Sequence, residues 1–273
     1  MGSAVSGGCC SGREDEEAKR RAYDKLNRGD GVNDDITRFD LAYDKNDIEE
    51  FVKLLSSTQP IDKLDEPMHP WAADPKTVGA LAATQLAILA ARDSQPELKD
   101  AIRKKGGIQG LLELLKSKEE DRIDGAVVAL SFLSVNNAEC CSTMFECGVL
   151  PYLVKCMSSE IDGLRAASAQ TARNIFILGI SQRKEFMRLG GIQILVNLLT
   201  PPNKDVDKPE SWYTPLEAIY HIEDLIIDQN EELLEYTRAV RKCGVVDKLK
   251  VLTKSSNRDV SEAAEILLTR VSE

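Results

Sequence analysis

The sequence predicts an all-α solenoid of about five or six stacked helical repeats, and two observations support this fold class. A glycine-centred motif recurs at Gly106, Gly148 and Gly190, which lie 42 residues apart, and again at Gly244, 54 residues further on. After each glycine, apolar residues fall at positions +2, +5 and +8, the spacing of one helix face after a helix-ending glycine. The chain is also 42% apolar but only 5% aromatic, which suits helix-on-helix packing. A fixed period of this length is typical of repeats that bury their apolar faces only by stacking.

Composition narrows the classes of partner and site. The net charge of −10 argues against a general binder of nucleic acid or anionic membranes and favours protein partners, some of them basic. We find no apolar signal-peptide region and no apolar stretch long enough for a transmembrane helix, so the seven cysteines are expected to be reduced thiols. Cys140, Cys141 and Cys147 lack a neighbouring histidine and CxxC spacing. We therefore predict that they pack in the core and bind no metal.

The first residues carry the pattern of a lipid anchor. The chain begins Met-Gly-x-x-x-Ser, which predicts N-myristoylation of Gly2, and Cys9 and Cys10 are candidates for S-palmitoylation. One myristoyl chain holds a protein only marginally, so a second signal is needed. Residues 13–30 do not form a basic patch, because six Arg and Lys offset six Asp and Glu there. We predict that residues 1–35 form a flexible, acylated, membrane-anchoring tail; the alternative is an inert Gly/Ser-rich segment.

Residues 36–273 are predicted to form the solenoid, with three helices per unit. The first unit is degenerate, and Asn46 takes the place of its glycine. Two loop insertions are expected, at about 59–75 and 201–212, both rich in proline. The second insertion would account for the 54-residue spacing, and a long helix is expected to follow it over Pro215–Asp228.

The repeated pattern Gly-(Ala/Gly/Val)-Ile-x-x-Leu-Val-x-Leu-Leu, in units of about 42 residues, resembles the armadillo repeat. The resemblance covers roughly residues 40–272 and implies a right-handed superhelix whose third helices line a concave groove. In armadillo proteins the groove typically presents an Asn and, one turn earlier, a bulky residue, at positions that match those 16 and 20 residues before each following glycine. The resemblance predicts that the following residues contact a partner: Phe132, Gln170, Arg173, Asn174, Asp224 and Asp228. Only Asn174 keeps the typical Asn, so a helix or a basic segment fits this groove better than a peptide held along its backbone.

Armadillo repeats preceded by a myristoylation motif and a Cys-Cys pair resemble the armadillo-repeats-only family of apicomplexan parasites. This resemblance implies anchoring to the cytosolic face of rhoptries, where the family positions and clusters these secretory organelles. The partners it implies are an unconventional myosin, a small adaptor protein and an adenylate cyclase.

Catalytic motifs are missing from the sequence: it contains no nucleophile elbow, P-loop or HExxH. The two histidines, His69 and His221, lie in different regions, and His221 is predicted to pack rather than to act as a base. We therefore expect no enzyme activity, cofactor, small-molecule substrate or nucleic acid. The working hypothesis is a lipid-anchored adaptor; the alternative is a soluble armadillo-type regulator or chaperone of a small GTPase.

Overall fold

The computed structural model describes residues 34–61, 74–200, 213–229 and 231–272. Within these ranges the chain forms fifteen α-helices and one two-stranded hairpin. The helices group into five units of three, which agrees with the predicted all-α solenoid of five or six repeats. The predicted insertion at 201–212 lies outside the described ranges, as do residues 62–73 of the insertion predicted at about 59–75 and residues 1–33 of the predicted tail.

Each of the five units contributes three consecutive helices. Unit one contains α1 (Asp35–Lys45), α2 (Ile48–Leu54) and α3 (Val78–Ala90). Unit two contains α4 (Glu97–Lys104), α5 (Gly107–Leu115) and α6 (Glu120–Ser134). Unit three contains α7 (Ala138–Glu146), α8 (Leu150–Cys156) and α9 (Asp162–Phe176). Unit four contains α10 (Ile180–Arg188), α11 (Gly191–Asn197) and α12 (Tyr213–Ile226). Unit five contains α13 (Leu234–Lys242), α14 (Val245–Leu252) and α15 (Arg258–Ser272).

A left-handed residue separates the first and second helices of every unit. The φ angles of Gly106, Gly148, Gly190 and Gly244 are 83°, 78°, 76° and 81°. Asn46 takes the same place in unit one with φ 51° and ψ 44°. Glycine adopts this conformation without strain and asparagine tolerates it, which explains the recurring motif and its one exception.

The third helices form a continuous layer through the molecule. Each one packs against the next, in the order α3, α6, α9, α12 and α15. One hydrophobic cluster extends from Phe39 in the first unit to Val271 in the last. Cys140 and Cys141 are buried in it, and burial raises the pKa of their thiols to about 11 and about 12. Their predicted place in the core is therefore confirmed, and Cys147 packs against the same cluster.

The structure corrects the end of the predicted helix Pro215–Asp228. Helix α12 ends at Ile226, and β1 (Ile227–Asp228) then pairs antiparallel with β2 (Glu231–Glu232). Gln229 in the turn has a left-handed φ of 48°, which is incompatible with continued helix. The long spacing between the third and fourth glycines therefore does not come from 201–212 alone, because the hairpin also lengthens the path from α12 to α13.

In the part of the chain that the structure describes, no helix combines the length and apolar character needed to cross a membrane. The same residues contain no group of three or more His, Cys, Asp or Glu side chains placed to hold a metal ion.

Candidate partner-binding groove

Equivalent positions on the third helices can be defined by counting back from the following glycine or by matching the helix ends and buried faces. The helix ends and buried faces define them better. A shift of 50 residues superposes the buried residues Ala172 and Ile175 of α9 on the buried residues Ile222 and Leu225 of α12. In this register Asp224 is the equivalent of Asn174, two residues before the helix end in both cases.

The corrected register brings two further residues into the groove. Tyr220 becomes the equivalent of Gln170, and its side chain is 49% exposed. In α15, the buried residues Leu267 and Val271 place Ile266 in the same row, and Ile266 is 55% exposed. The glycine count missed Tyr220 because the hairpin displaces α12 by four residues, and no glycine follows α15. The available signal was an apolar side chain at a position that the helical period assigns to the exposed face.

A hydrogen-bond network crosses the middle of the groove. The Nε atom of Arg173 donates to Oδ2 of Asp224 at 2.7 Å, and its Nη1 atom donates to Oδ1 of Asn174 at 3.0 Å. The Nδ2 atom of Asn174 donates to Oγ of Ser134 at 2.9 Å. The network therefore joins α6, α9 and α12, and both polar atoms of the Asn174 amide have partners inside the protein.

Three of the six predicted groove residues, Arg173, Asn174 and Asp224, thus lie together. Asn174 is buried, whereas the side chains of Arg173 and Asp224 are each about one third exposed. Phe132 on α6 and Gln170 on α9 are half-buried, and Phe132 packs against the core. The arrangement leaves charged and apolar side chains, rather than a row of asparagines, accessible to a partner.

Asp228, the sixth predicted residue, lies on the hairpin and not on a third helix. Its Oδ2 atom is 3.5 Å from Nη1 of Arg183, a side chain that is only 2% exposed. The Nη2 atom of Arg183 lies 3.3 Å from the carbonyl oxygen of Asp224 and 3.4 Å from that of Ile227. Arg183 therefore holds the end of α12 and the start of the hairpin together, at the edge of the groove.

His221 is buried beneath this network, as the prediction of a packing role requires. Burial, and secondly the positive charge of Arg173, lower the pKa of its imidazole to about 3. The side chain is therefore neutral and very weakly basic near neutral pH, which does not suit a general base.

A hollow of about 160 Å³ lies between α12 and α15, and we call it the C-terminal hollow. Its lining residues are Tyr220, Glu223, Asp259, Glu262, Ala263 and Ile266. Every charged side chain in this lining is a carboxylate. Two arginines pair with these carboxylates: Arg270 with Glu223 at 3.1 Å and Arg258 with Glu262 at 2.6 Å.

Five three-helix units, each with a left-handed residue after its first helix, define this chain as an armadillo-repeat protein. A solved structure of ARO, the armadillo repeats only protein from Plasmodium falciparum, is 54% identical to it, with a TM-score of 0.83. The match covers 87% of this chain and 98% of that one. The chain belongs to the armadillo-repeats-only family.

More distant structures share the fold alone. The designed armadillo repeat protein YIII(Dq.V1)4CPAF, in complex with the peptide (KR)4, is 20% identical, with a TM-score of 0.63 and coverage of 96% of this chain and 95% of that one. A structure concerned with a phosphorylation switch in the interaction between cadherin and β-catenin is 18% identical, with a TM-score of 0.65. The latter match covers 87% of this chain and 41% of that one. No family model and no curated protein match the sequence.

The predicted lipidation sites Gly2, Cys9 and Cys10 lie outside the described residues. Lipid anchoring therefore stays a prediction from the sequence.

Proposed function

We propose that this protein is a lipid-anchored adaptor on the cytosolic face of an organelle membrane, the rhoptry in apicomplexan cells. The observation that carries the proposal is the presence, on one chain of the armadillo-repeats-only family, of an acylation motif and a groove-bearing solenoid. The solenoid supplies a long surface for protein partners, and its groove offers charged and apolar side chains rather than catalytic groups.

The adaptor works through two simultaneous attachments. Acyl chains on Gly2, Cys9 and Cys10 hold the protein on one membrane, since two or more chains are needed for stable anchoring. The groove holds a protein partner, which connects the organelle to a motor or to a signalling enzyme. By family resemblance, the partners are an unconventional myosin, a small adaptor protein and an adenylate cyclase.

The electrostatics of the groove favour basic partner segments. The net charge of the chain is −10, and Asp224, Asp228 and the C-terminal hollow place carboxylates along the groove. A designed armadillo protein of the same fold binds a peptide of alternating Lys and Arg, which shows that such a fold accommodates basic segments. This supports protein partners rather than nucleic acid.

The membrane attachment is tested by locating the intact protein beside Gly2→Ala and the double variant Cys9→Ser with Cys10→Ser. Each is labelled with an alkyne fatty acid. We expect the wild type to be labelled and confined to one organelle, Gly2→Ala to be diffuse, and the cysteine variant to be weakly or wrongly held. If all three proteins are soluble and unlabelled, the soluble regulator or chaperone of a small GTPase becomes the better account.

The groove is tested by reversing two of its charges, Asp224→Lys with Asp228→Lys. The matched control reverses two exposed carboxylates of α13 and α14, Glu235→Lys with Asp247→Lys, which lie off the third helices. We expect the groove variant alone to lose partner capture from cell extract, because reversal places two lysines beside Arg173 and Arg183 and the resulting positive charge repels a basic segment. Equal capture by both variants would show that the groove is not the binding face.

A further inference from the structure

We propose that the C-terminal hollow is the main anchoring subsite of the groove, and that it binds a protein segment in which an aliphatic side chain is flanked by arginine or lysine. The inference rests on the proposed function in one respect, that the groove binds protein partners. It adds the position of the anchor and the chemistry of its occupant.

The floor of the hollow is apolar. Tyr220 and Ile266 belong to the same row of the groove, on neighbouring third helices, and both are about half exposed. Ala263 lies beside them and is 7% exposed. Further along this row Val128 is already buried, at 8%, and Gln170 is polar. The C-terminal end of the row is therefore where an apolar partner side chain gains most from being buried.

Acidic side chains surround that floor. Glu223, Asp259 and Glu262 line the hollow, and no cation of the described chain pairs with Asp259. The face of the Tyr220 ring attracts a guanidinium or ammonium group, and the carboxylates beside it accept hydrogen bonds from the same group. An acidic segment or an anionic membrane surface would meet repulsion here.

The hollow is small. A volume of about 160 Å³ is smaller than the roughly 300–1,000 Å³ of a typical small-molecule pocket. It suits one or two side chains of a larger partner that also contacts the surrounding groove.

The centre of the groove is already occupied by the protein's own side chains. The amide of Asn174 is engaged by Arg173 and Ser134, and Arg173 is also engaged by Asp224. A partner that used these groups would first have to break the internal network. In the hollow a partner can contact Tyr220, Ile266 and Asp259 while the Arg270–Glu223 and Arg258–Glu262 pairs stay intact, so we infer that the partner is anchored there.

The experiment is a selection of random displayed peptides on the full-length protein. Affinities of the enriched peptides are then measured by fluorescence anisotropy for the wild type and four variants. Ile266→Arg and Asp259→Lys alter the hollow. Their matched controls in the same unit are Val251→Arg, at a position that is 63% exposed on α14, and Asp247→Lys on the same helix.

We expect enriched peptides to carry an aliphatic residue next to Arg or Lys. Ile266→Arg and Asp259→Lys should each weaken their binding by about tenfold or more, as expected for anchor residues, and the controls should leave it unchanged. Three outcomes would overturn the proposal. The enriched peptides bind Ile266→Arg as tightly as the wild type, or they are acidic in composition, or the wild type enriches no peptides over Ile266→Arg.

Two other occupants are also tested. If the wild type self-associates in sedimentation experiments and Ile266→Arg does not, the hollow is an interface between two copies of the chain. If a synthetic peptide of residues 13–33 binds with the same dependence on Ile266, the occupant is a segment of this protein. Either result would overturn a partner protein as the occupant.

Failure of this inference is distinguishable from failure of the proposed function. Ile266→Arg should still be acylated and located like the wild type, because the hollow takes no part in anchoring. A soluble, unlabelled wild type would contradict the proposed adaptor function whatever the peptides show. An anchored protein whose peptide binding does not depend on Ile266 or Asp259 would contradict only the proposed subsite.

Discussion

At the residue scale, the burial of His221 predicts how the stability of the fold depends on pH. The pKa of His221 is lowered from 6.5 to about 3 in the folded protein, chiefly by burial. Between these values the unfolded chain binds a proton that the folded chain does not, so stability is lost as the pH falls below 6.5. We expect His221 to remove about 2 kcal/mol of unfolding free energy between about pH 7.5 and about pH 5. Urea denaturation at the two pH values measures this loss.

The control for this prediction is His221→Leu, which has no titrating side chain at the same buried position. Its loss of stability over the same pH range should be smaller than that of the wild type by about the same 2 kcal/mol. The carboxyl groups whose pKa values are lowered, such as Asp34 and Glu49, start from 3.8 and 4.5, so their contributions are lost mainly below this range. Equal pH dependence in both proteins would contradict a neutral, buried His221.

The glycine at the turn of units two to five leads to a second prediction at the residue scale. Gly148 has a φ of 78°, and a Cβ atom added there would meet no other atom within 4 Å. Gly148→Ala should therefore cost only the backbone strain, about 1–2 kcal/mol, seen as a lower midpoint in urea. Gly148→Asn should cost distinctly less, because Asn46 holds the equivalent conformation in the first unit. Equal costs for Ala and Asn would show that the left-handed backbone is not the cause.

At the scale of elements, the contacts of Arg183 predict that it orders the hairpin between α12 and α13. Its guanidinium lies near two carbonyl oxygens at the end of α12, and the amide of Leu233 donates to the carbonyl of Ile226 at 2.7 Å. In Arg183→Met we expect the amide of Leu233 to exchange with solvent about tenfold faster, because the hairpin opens locally more often. The amide of Met157, which is bonded to Leu153 in unit three, is the internal control.

A local readout is needed because the global effect of this substitution is expected to be small. The Nε atom of Arg183 is buried without a hydrogen-bond partner among the described residues, so burying its charge costs free energy that methionine would not incur. Unchanged protection of Leu233 in Arg183→Met would show that the hairpin is ordered without the guanidinium.

The same elements show which parts of the structure were predictable from sequence. The units were predictable because a left-handed turn demands Gly or Asn, and because the apolar residues after it repeat at helical spacing. The hairpin was not, since the residues Ile227, Asp228, Glu231 and Glu232 continue the polar and apolar pattern of a helix end. The end of α12 is followed by Gln229 in a left-handed turn and is contacted by Arg183, more than 40 residues earlier in the chain. Tyr220 and Ile266 were missed as a consequence, because their place in the groove depends on where α12 ends and on an α15 that no glycine follows.

At the scale of the whole molecule, the proposed function requires both attachments on the same chain. A chain that binds the partner but not the membrane should compete with the anchored protein. We therefore expect excess Gly2→Ala protein, expressed beside the wild type, to disperse the clustered organelles. Anchored copies benefit from many simultaneous contacts, so the soluble chain must be present in excess to occupy the partner. Microscopy of organelle position against the expressed amount of Gly2→Ala measures the effect.

The control for this competition adds Asp224→Lys and Asp228→Lys to the Gly2→Ala chain. This protein shares the fold and the failure to anchor, but its groove repels a basic partner segment. It should leave the organelles clustered at the same expression level. If both soluble chains disperse the organelles, the groove is not responsible and the interference arises elsewhere on the solenoid. If neither does so while Gly2→Ala alone still captures the partner in extracts, that partner is not the one that positions the organelle, because mass action would otherwise have removed it from the membrane.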